Sequence, residues 1–119
     1  SDDADLNRIG AELTAANTAL RQAVDWVVPA FSGDTRAAHA ASVPYLRLWG
    51  LVAGGWQLAR GARAASLWLA ESGGDADFYR GKIATARFYA DCLLPQAAAW
   101  SRAITQGSEA VLALADAQF

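Results

Sequence analysis

The stretch FYRGKIATARFYADCLLPQAAAW, residues 78–100, decides the fold. Its apolar or small positions, continued one turn further, fall at Tyr79, Ile83, Ala86, Ala90, Leu93, Ala97, Trp100 and Ile104. That alternation of three and four is what one face of an α-helix produces, and a strand, with its period of two, cannot produce it. Pro95 lies inside the run. A proline there removes the hydrogen bond to the residue four back and crowds its carbonyl, so the pattern predicts a helix from about Asp75 past Ile104 with a kink near Asp91. Two helices broken at Leu94 are the alternative.

Working outward, the segment before this helix predicts another. Ser42 is a helix cap and Pro44 suits a first turn, so a helix is expected from about Val43 to Glu71, stopped by Ser-Gly-Gly. Tyr45, Leu48, Trp49, Val52, Trp56, Ala59, Ala62, Leu67 and Ala70 occupy one broad sector of it, which reads as its core face. Gly50, Gly54 and Gly61 share the other side. Each glycine costs a helix about 1 kcal/mol against alanine, so that side is expected to be approached closely, by a helix of the same bundle or by another domain or subunit. Gly50, Gly54 and Gly61 are therefore the candidate packing interface.

A first helix is expected to open after the acidic residues 2–5 and to run to about Val28, before Pro29, with Leu6, Ile9, Leu13, Ala16, Leu20, Ala23 and Val27 as its seam. The connection SGDTRAAHAAS, residues 32–42, holds room for a helical turn. Thr-Gln-Gly-Ser, residues 105–108, is expected to end the third helix, and a short fourth helix carries Ala110, Val111, Leu114 and Phe119. The whole reads as an all-α, antiparallel four-helix bundle with a proline-kinked third helix, a single domain over residues 1–119.

Composition narrows the function. Hydrophobic residues make up 54% of the chain and charged residues 18%, which excludes disorder and leaves more apolar surface than a lone bundle needs. The net charge of −2 leaves no basic footprint, so nucleic acid is not an expected partner. The longest apolar candidate for a membrane span, residues 48–59, is too short to cross a bilayer and carries Gln57. A single cysteine and the lack of a signal-peptide pattern make a cytoplasmic location the expectation. The first residue is Ser, which suggests a processed or excised segment.

Residues that could carry chemistry are sparse. His39 stands in the connecting segment without Cys, His or paired carboxylates at ligand spacing, so no metal site is expected. Cys92, beside Leu93 and Leu94, reads as a buried structural thiol, since nothing electropositive near it would stabilise a thiolate. Glu71, Asp75 and Asp77 sit at a helix end and a helix start, where capping accounts for them. Tyr79, Phe88 and Tyr89 at helical spacing read as core, and Arg80, Lys82 and Arg87 as a solvated face. The paired glycines 54–55 and 73–74 fit no phosphate-loop pattern.

Two strings carry a further resemblance: Y-L-R-L-W-G at residues 45–50, and F-Y-x-x-K-x-x-x-A-R-F-Y-x-x-x-L-L-P at residues 78–95. Through Tyr45, Leu46, Gly50, Trp56, Phe78, Tyr79, Lys82, Ala86, Arg87, Phe88, Tyr89, Leu94 and Pro95, the chain resembles the helical C-terminal domain of one branch of the acyl-CoA dehydrogenases, the acetyl-CoA dehydrogenase C-terminal-like domain. The resemblance covers about residues 45–119, with residues 1–42 compatible only in helical character. It implies a parent flavoenzyme that oxidises an acyl-CoA at its α,β bond, a glutamate taking the α proton and flavin N5 accepting hydride. Neither that glutamate nor the flavin-binding segments match any position here. The resemblance thus implies an accessory domain that packs on the catalytic core or a subunit interface, with no catalytic residue, no cofactor bound by this chain alone, and FAD in the parent. A free-standing helical module that dimerises through the glycine side of the second helix is the alternative, and a bundle holding a small apolar ligand is a third reading.

Overall fold

In a computed structural model of the chain, residues 2–71, 75–114 and 118 are described, without the side chains of residues 2 and 3. They form five helices: α1 (Asp2–Gly33), the short α2 (Thr35–Ala40), α3 (Ser42–Ala70), α4 (Ala76–Cys92) and α5 (Gln96–Leu112). No strand occurs among them, and the protein is an all-α bundle. The expected stop at residues 72–74 and the position of Phe119 lie outside the described residues. α3 itself ends with Glu71 as its C-cap, whose N–H bonds back to the Leu67 carbonyl.

The kinked helix of the sequence reading is two helices. The Leu93 and Leu94 amides both donate to the Tyr89 carbonyl, and those of Gln96 and Ala97 reach only three residues back, to Leu93 and Leu94. A wide turn is followed by a tight one, and the chain advances past Pro95 without losing helical phase. Ala86, Ala90, Leu94, Ala97, Ser101 and Ile104 are consequently all buried on one side. α4 and α5 pack in succession along both α1 and α3 and together act as one rod. The molecule is elongated as a result, 67 × 26 × 19 Å.

Directions follow from side-chain pairs. Arg87 meets Asp5 and Asp91 meets Arg8, while further along Gln22 and Thr105 border one crevice, so α1 runs parallel to the α4–α5 rod. α3 runs antiparallel to that rod, since Trp68 stacks on Tyr79, Tyr89 bonds to Leu51, and Arg47 sits over Trp100. α1 starts level with the last turns of α4. The end of α3 and the first turns of α4 therefore project past it as a two-helix hairpin.

α1 does not stop before Pro29 but continues to Gly33. The bond that Pro29 forfeits is that to the Asp25 carbonyl, and both residues face solvent, where water satisfies the oxygen. Burial of Val27, 2% exposed, holds the helix on its course. The acidic opening lies inside α1 and does not precede it. Residues 105–108 likewise do not end a helix: α5 passes through them, with Ser108 buried and the Thr105 hydroxyl donating to the Ser101 carbonyl at 3.0 Å. One glycine penalty at Gly107, about 1 kcal/mol, is smaller than what burying Ile104 returns.

The core consists of small residues packed by a few large ones: Leu48, Leu94, Ile104 and Val27 are the largest fully buried side chains. Ile9, Leu20, Val52 and Ile83 join them, and alanines 16, 19, 23, 62, 65, 86, 90 and 97 between them let the helices approach closely. The expected core face of α3 is only partly core. Leu48, Val52 and Ala62 are buried, but Trp49, Trp56, Leu67 and Ala70 are exposed, because α1 and the α4–α5 rod cover two sides of α3 and leave this third side open.

Candidate functional surface

Two glycines let α4 and the start of α5 seat directly on the α3 backbone. A methyl group at Gly54 would come within 2.7 Å of the Tyr89 hydroxyl, and one at Gly55 within 2.7 Å of a Leu94 methyl. Without them, Tyr89 lies flat on α3 and donates a 2.6 Å hydrogen bond to the Leu51 carbonyl, while the buried Leu94 seats against bare backbone. Partial burial raises the Tyr89 pKa. Of the three glycines read as a packing interface, Gly54 thus faces α4, whereas Gly50 and Gly61 have open space where a β carbon would stand. Gly61 borders a notch between α3 and α4 that Gln57, Phe78, Gly81 and Lys82 also line, the Lys82 ammonium lying 5.3 Å over the Phe78 ring.

Because Leu51's carbonyl keeps its place in the α3 ladder, Tyr89→Phe removes one hydrogen bond and little else. A loss of about 1 kcal/mol in chemical denaturation is expected. A loss several times larger would show that the hydroxyl also holds the ring in position.

A cluster of charges ties α1 to α4. Arg87 donates from Nε to Asp91 Oδ2 at 2.7 Å and from Nη1 to Asp5 Oδ1 at 2.8 Å; Arg8 donates from Nε to Asp91 Oδ1 at 3.0 Å and pairs with Glu12 at 3.3 Å. The hydrogen bond from Arg8, then that from Arg87, hold the Asp91 carboxyl below its ordinary pKa, and the bond to Asp91 raises that of Arg87. Native Asp91 therefore releases its proton more readily than the unfolded chain does. Its contribution is complete above the ordinary carboxylate range and is lost as pH falls through its lowered value. Melting temperature is expected to drop as pH falls below about 5 and on through the lowered Asp91 value, and Asp91→Asn to flatten that drop. An unchanged acid profile in Asp91→Asn would contradict the arrangement. Arg87 and Asp91 stand four apart, a spacing that signals a helical ion pair; their partners on α1 carry no such local signal.

Asp75 caps α4, its carboxylate accepting from the Phe78 amide at 3.2 Å, and Asp77 lies in the first turn. His39 is exposed on α2, edge-on to Phe31. Cys92 is exposed and not a buried thiol, because Ala90 and Leu94 occupy the inward positions on either side of it. Among the described residues, no three His, Cys, Asp or Glu side chains gather into a possible metal site, and no helix is long and apolar enough to cross a membrane.

An open groove of about 540 Å³ lies between α1 and α3, lined by Leu13, Asn17, Leu20, Trp49, Val52 and Trp56 among others. The tryptophans had been read as core, so the sequence reading missed this surface. Its lining is apolar with neutral polar groups, and Arg60 stacks over the Trp56 ring beside it. The lining residues all lie in the middle of α1 and α3, so the groove offers no helix N-terminus whose backbone amides could hold the pyrophosphate of a dinucleotide such as FAD.

The comparisons give the context. The family model described as acetyl-CoA dehydrogenase C-terminal like matches residues 1–115, so the likeness extends over α1 as well as the two quoted strings. A 3-methylmercaptopropionyl-CoA dehydrogenase of Ruegeria pomeroyi is 39% identical over 105 residues, 88% of this chain and 18% of that protein. The chain thus spans under a fifth of the length of the relative it matches. No solved structure matches it. On the extent of the family match and this identity, the chain belongs to the acetyl-CoA dehydrogenase C-terminal-like family.

Proposed function

We propose that this chain is the C-terminal helical accessory domain of an FAD-dependent acyl-CoA dehydrogenase, cytoplasmic and without chemistry of its own. The observation that carries the reading is the family match over nearly the whole chain, joined to a relative that is itself an acyl-CoA dehydrogenase and five times longer than the matched part. The structure is compatible: Asp34 and Asp75 cap helices, Asp5, Arg8, Glu12, Arg87 and Asp91 form ion pairs, and the α1–α3 groove has no helix N-terminus in its lining. When bound to the parent, FAD would supply the hydride acceptor; residues outside this chain would hold it. The substrate class is an acyl-CoA, and the named relative extends that class to a thioether-bearing acyl chain. The domain's role is to cover part of the catalytic core or a subunit boundary.

The test is a partition of flavin. The complete polypeptide that carries this chain is expected to purify with visible flavin absorbance, and residues 1–119 expressed alone to purify without it. Tight flavin retention by the 119 residues would overturn the reading.

A further inference from the structure

The third side of α3 is an unpartnered apolar stripe. Leu46, Trp49, Trp56 and Leu67 are 74%, 45%, 51% and 60% exposed, and the small Gly50 and Ala53 lie between them on the same face. Leu46, Trp49, Ala53 and Trp56 follow one another at spacings of three and four, the pattern of a helix face built to meet another helix, and Arg60 and Arg63 continue that rhythm to Leu67. Trp49 and Trp56 also form one wall of the groove of about 540 Å³ whose other wall is Leu13 and Leu20 of α1. Two antiparallel helices with a third rod behind them and an open groove in front present the seat that a fourth helix takes in a bundle.

Charge selects the occupant. From Ser42 to Ala70, α3 carries Arg47, Arg60 and Arg63 and no carboxylate, in a chain whose net charge is −2. The Arg60 guanidinium is held 4.9 Å over the Trp56 ring, which fixes its positive charge on the stripe. A pairing of α3 with a second copy of itself would bring arginines from both helices and a carboxylate from neither, so no ion pair would form between them. A helix with an apolar seam flanked by Asp or Glu answers both features.

We propose that the α3 stripe and the α1–α3 groove receive such an acidic, amphipathic helix from the dehydrogenase core of the same polypeptide. This rests on the accessory-domain reading above, in which some four fifths of the parent lies outside the chain, as it does in the Ruegeria pomeroyi relative. The docked helix seats its apolar side chains between Trp49 and Trp56 over the small residues Gly50 and Ala53, and its carboxylates meet Arg60 and Arg63.

Site-specific photo-cross-linking in the complete polypeptide tests this. The photoreactive residue p-benzoylphenylalanine is placed at Ala53, on the stripe, or at Phe88, which is 61% exposed on α4 and serves as the control. Cross-linked peptides are identified by mass spectrometry. Cross-links from position 53 to a carboxylate-bearing helix of the dehydrogenase core, about tenfold above those from position 88 and reduced several-fold by Arg60→Glu, are the expected result. Cross-links from position 53 to a second copy of α3, or none from position 53, overturn the inference. If position 88 reaches the core and position 53 does not, the accessory-domain reading stands and the face assigned here is wrong. Cross-links to the core from neither position overturn the inference, and a complete polypeptide that carries no dehydrogenase core overturns the accessory-domain reading with it.

Discussion

Gly54→Leu is expected to destabilise the chain although leucine is the better helix former. Propensity alone would return about 0.8 kcal/mol. Against that stands a β carbon 2.7 Å from the Tyr89 hydroxyl, which is pinned by its 2.6 Å bond to Leu51 and cannot yield without breaking it. Overpacking of this kind costs about 3 kcal/mol, and loss of the hydrogen bond adds about 1, so the net effect is a loss of roughly 3 kcal/mol. For a domain of this size the melting temperature falls by roughly 10–15 °C. Gly50→Ala, one turn earlier in the same helix, is the control, because nothing lies within 4 Å of its β position. It should gain up to about 1 kcal/mol from propensity alone. Opposite signs at two glycines four residues apart are the signature of the contact. Equal gains at both would mean that Tyr89 does not lie against α3.

Leu94→Ala should cost about 3 kcal/mol, the range for a fully buried leucine whose cavity cannot collapse. Leu94 is 2% exposed and sits where the wide and tight turns join α4 to α5. Gly55, against which it packs, and Ala90 and Ala97, one turn away on either side, are too small to fill the void. Because a methyl at Gly55 would occupy part of the vacated space, Gly55→Ala should be damaging alone and milder in the Leu94→Ala background. Thermal denaturation of the two single variants and the double variant measures the coupling, expected at about 1 kcal/mol or more. Additive losses would contradict the direct contact.

These contacts show where sequence periodicity sufficed. The seam is legible at Ile83, Ala86, Ala90, Ala97 and Ile104, which are buried because one face of a helix repeats at 3.6 residues whatever the partner. At the break, Leu94 and Ser101 take the inward places expected of Leu93 and Trp100, which are half-buried. Helix ends were less legible. Pro29, Pro95 and Gly107 are local signals for stopping or kinking. At Pro29 and Gly107 burial of Val27, Ile104 and Ser108 overrides them, and at Pro95 a rearrangement of three backbone bonds makes a break in place of a kink.

The open face of α3 was misread for a different reason. A helical wheel groups Trp49, Trp56 and Leu67 with Leu48 and Val52, but it cannot show that only two rods pack on α3. The candidate surface therefore required the tertiary arrangement. Gly54 was singled out by the energetic oddity of a glycine inside a helix, and the same reasoning could not separate it from Gly50, since their difference is set by Tyr89, 35 residues later in the chain. Arg8 and Asp5 likewise meet α4 only because α1 and α4 run parallel in one register.

The central claim is that this domain is one part of a flavin-dependent acyl-CoA dehydrogenase. Sequencing the genomic reading frame immediately upstream of Ser1 tests it most directly. The account predicts a continuous frame encoding a flavin-binding dehydrogenase core, with the α-proton-abstracting glutamate in it. A stop codon followed by a local start immediately before Ser1 would contradict the account and favour a free-standing helical module.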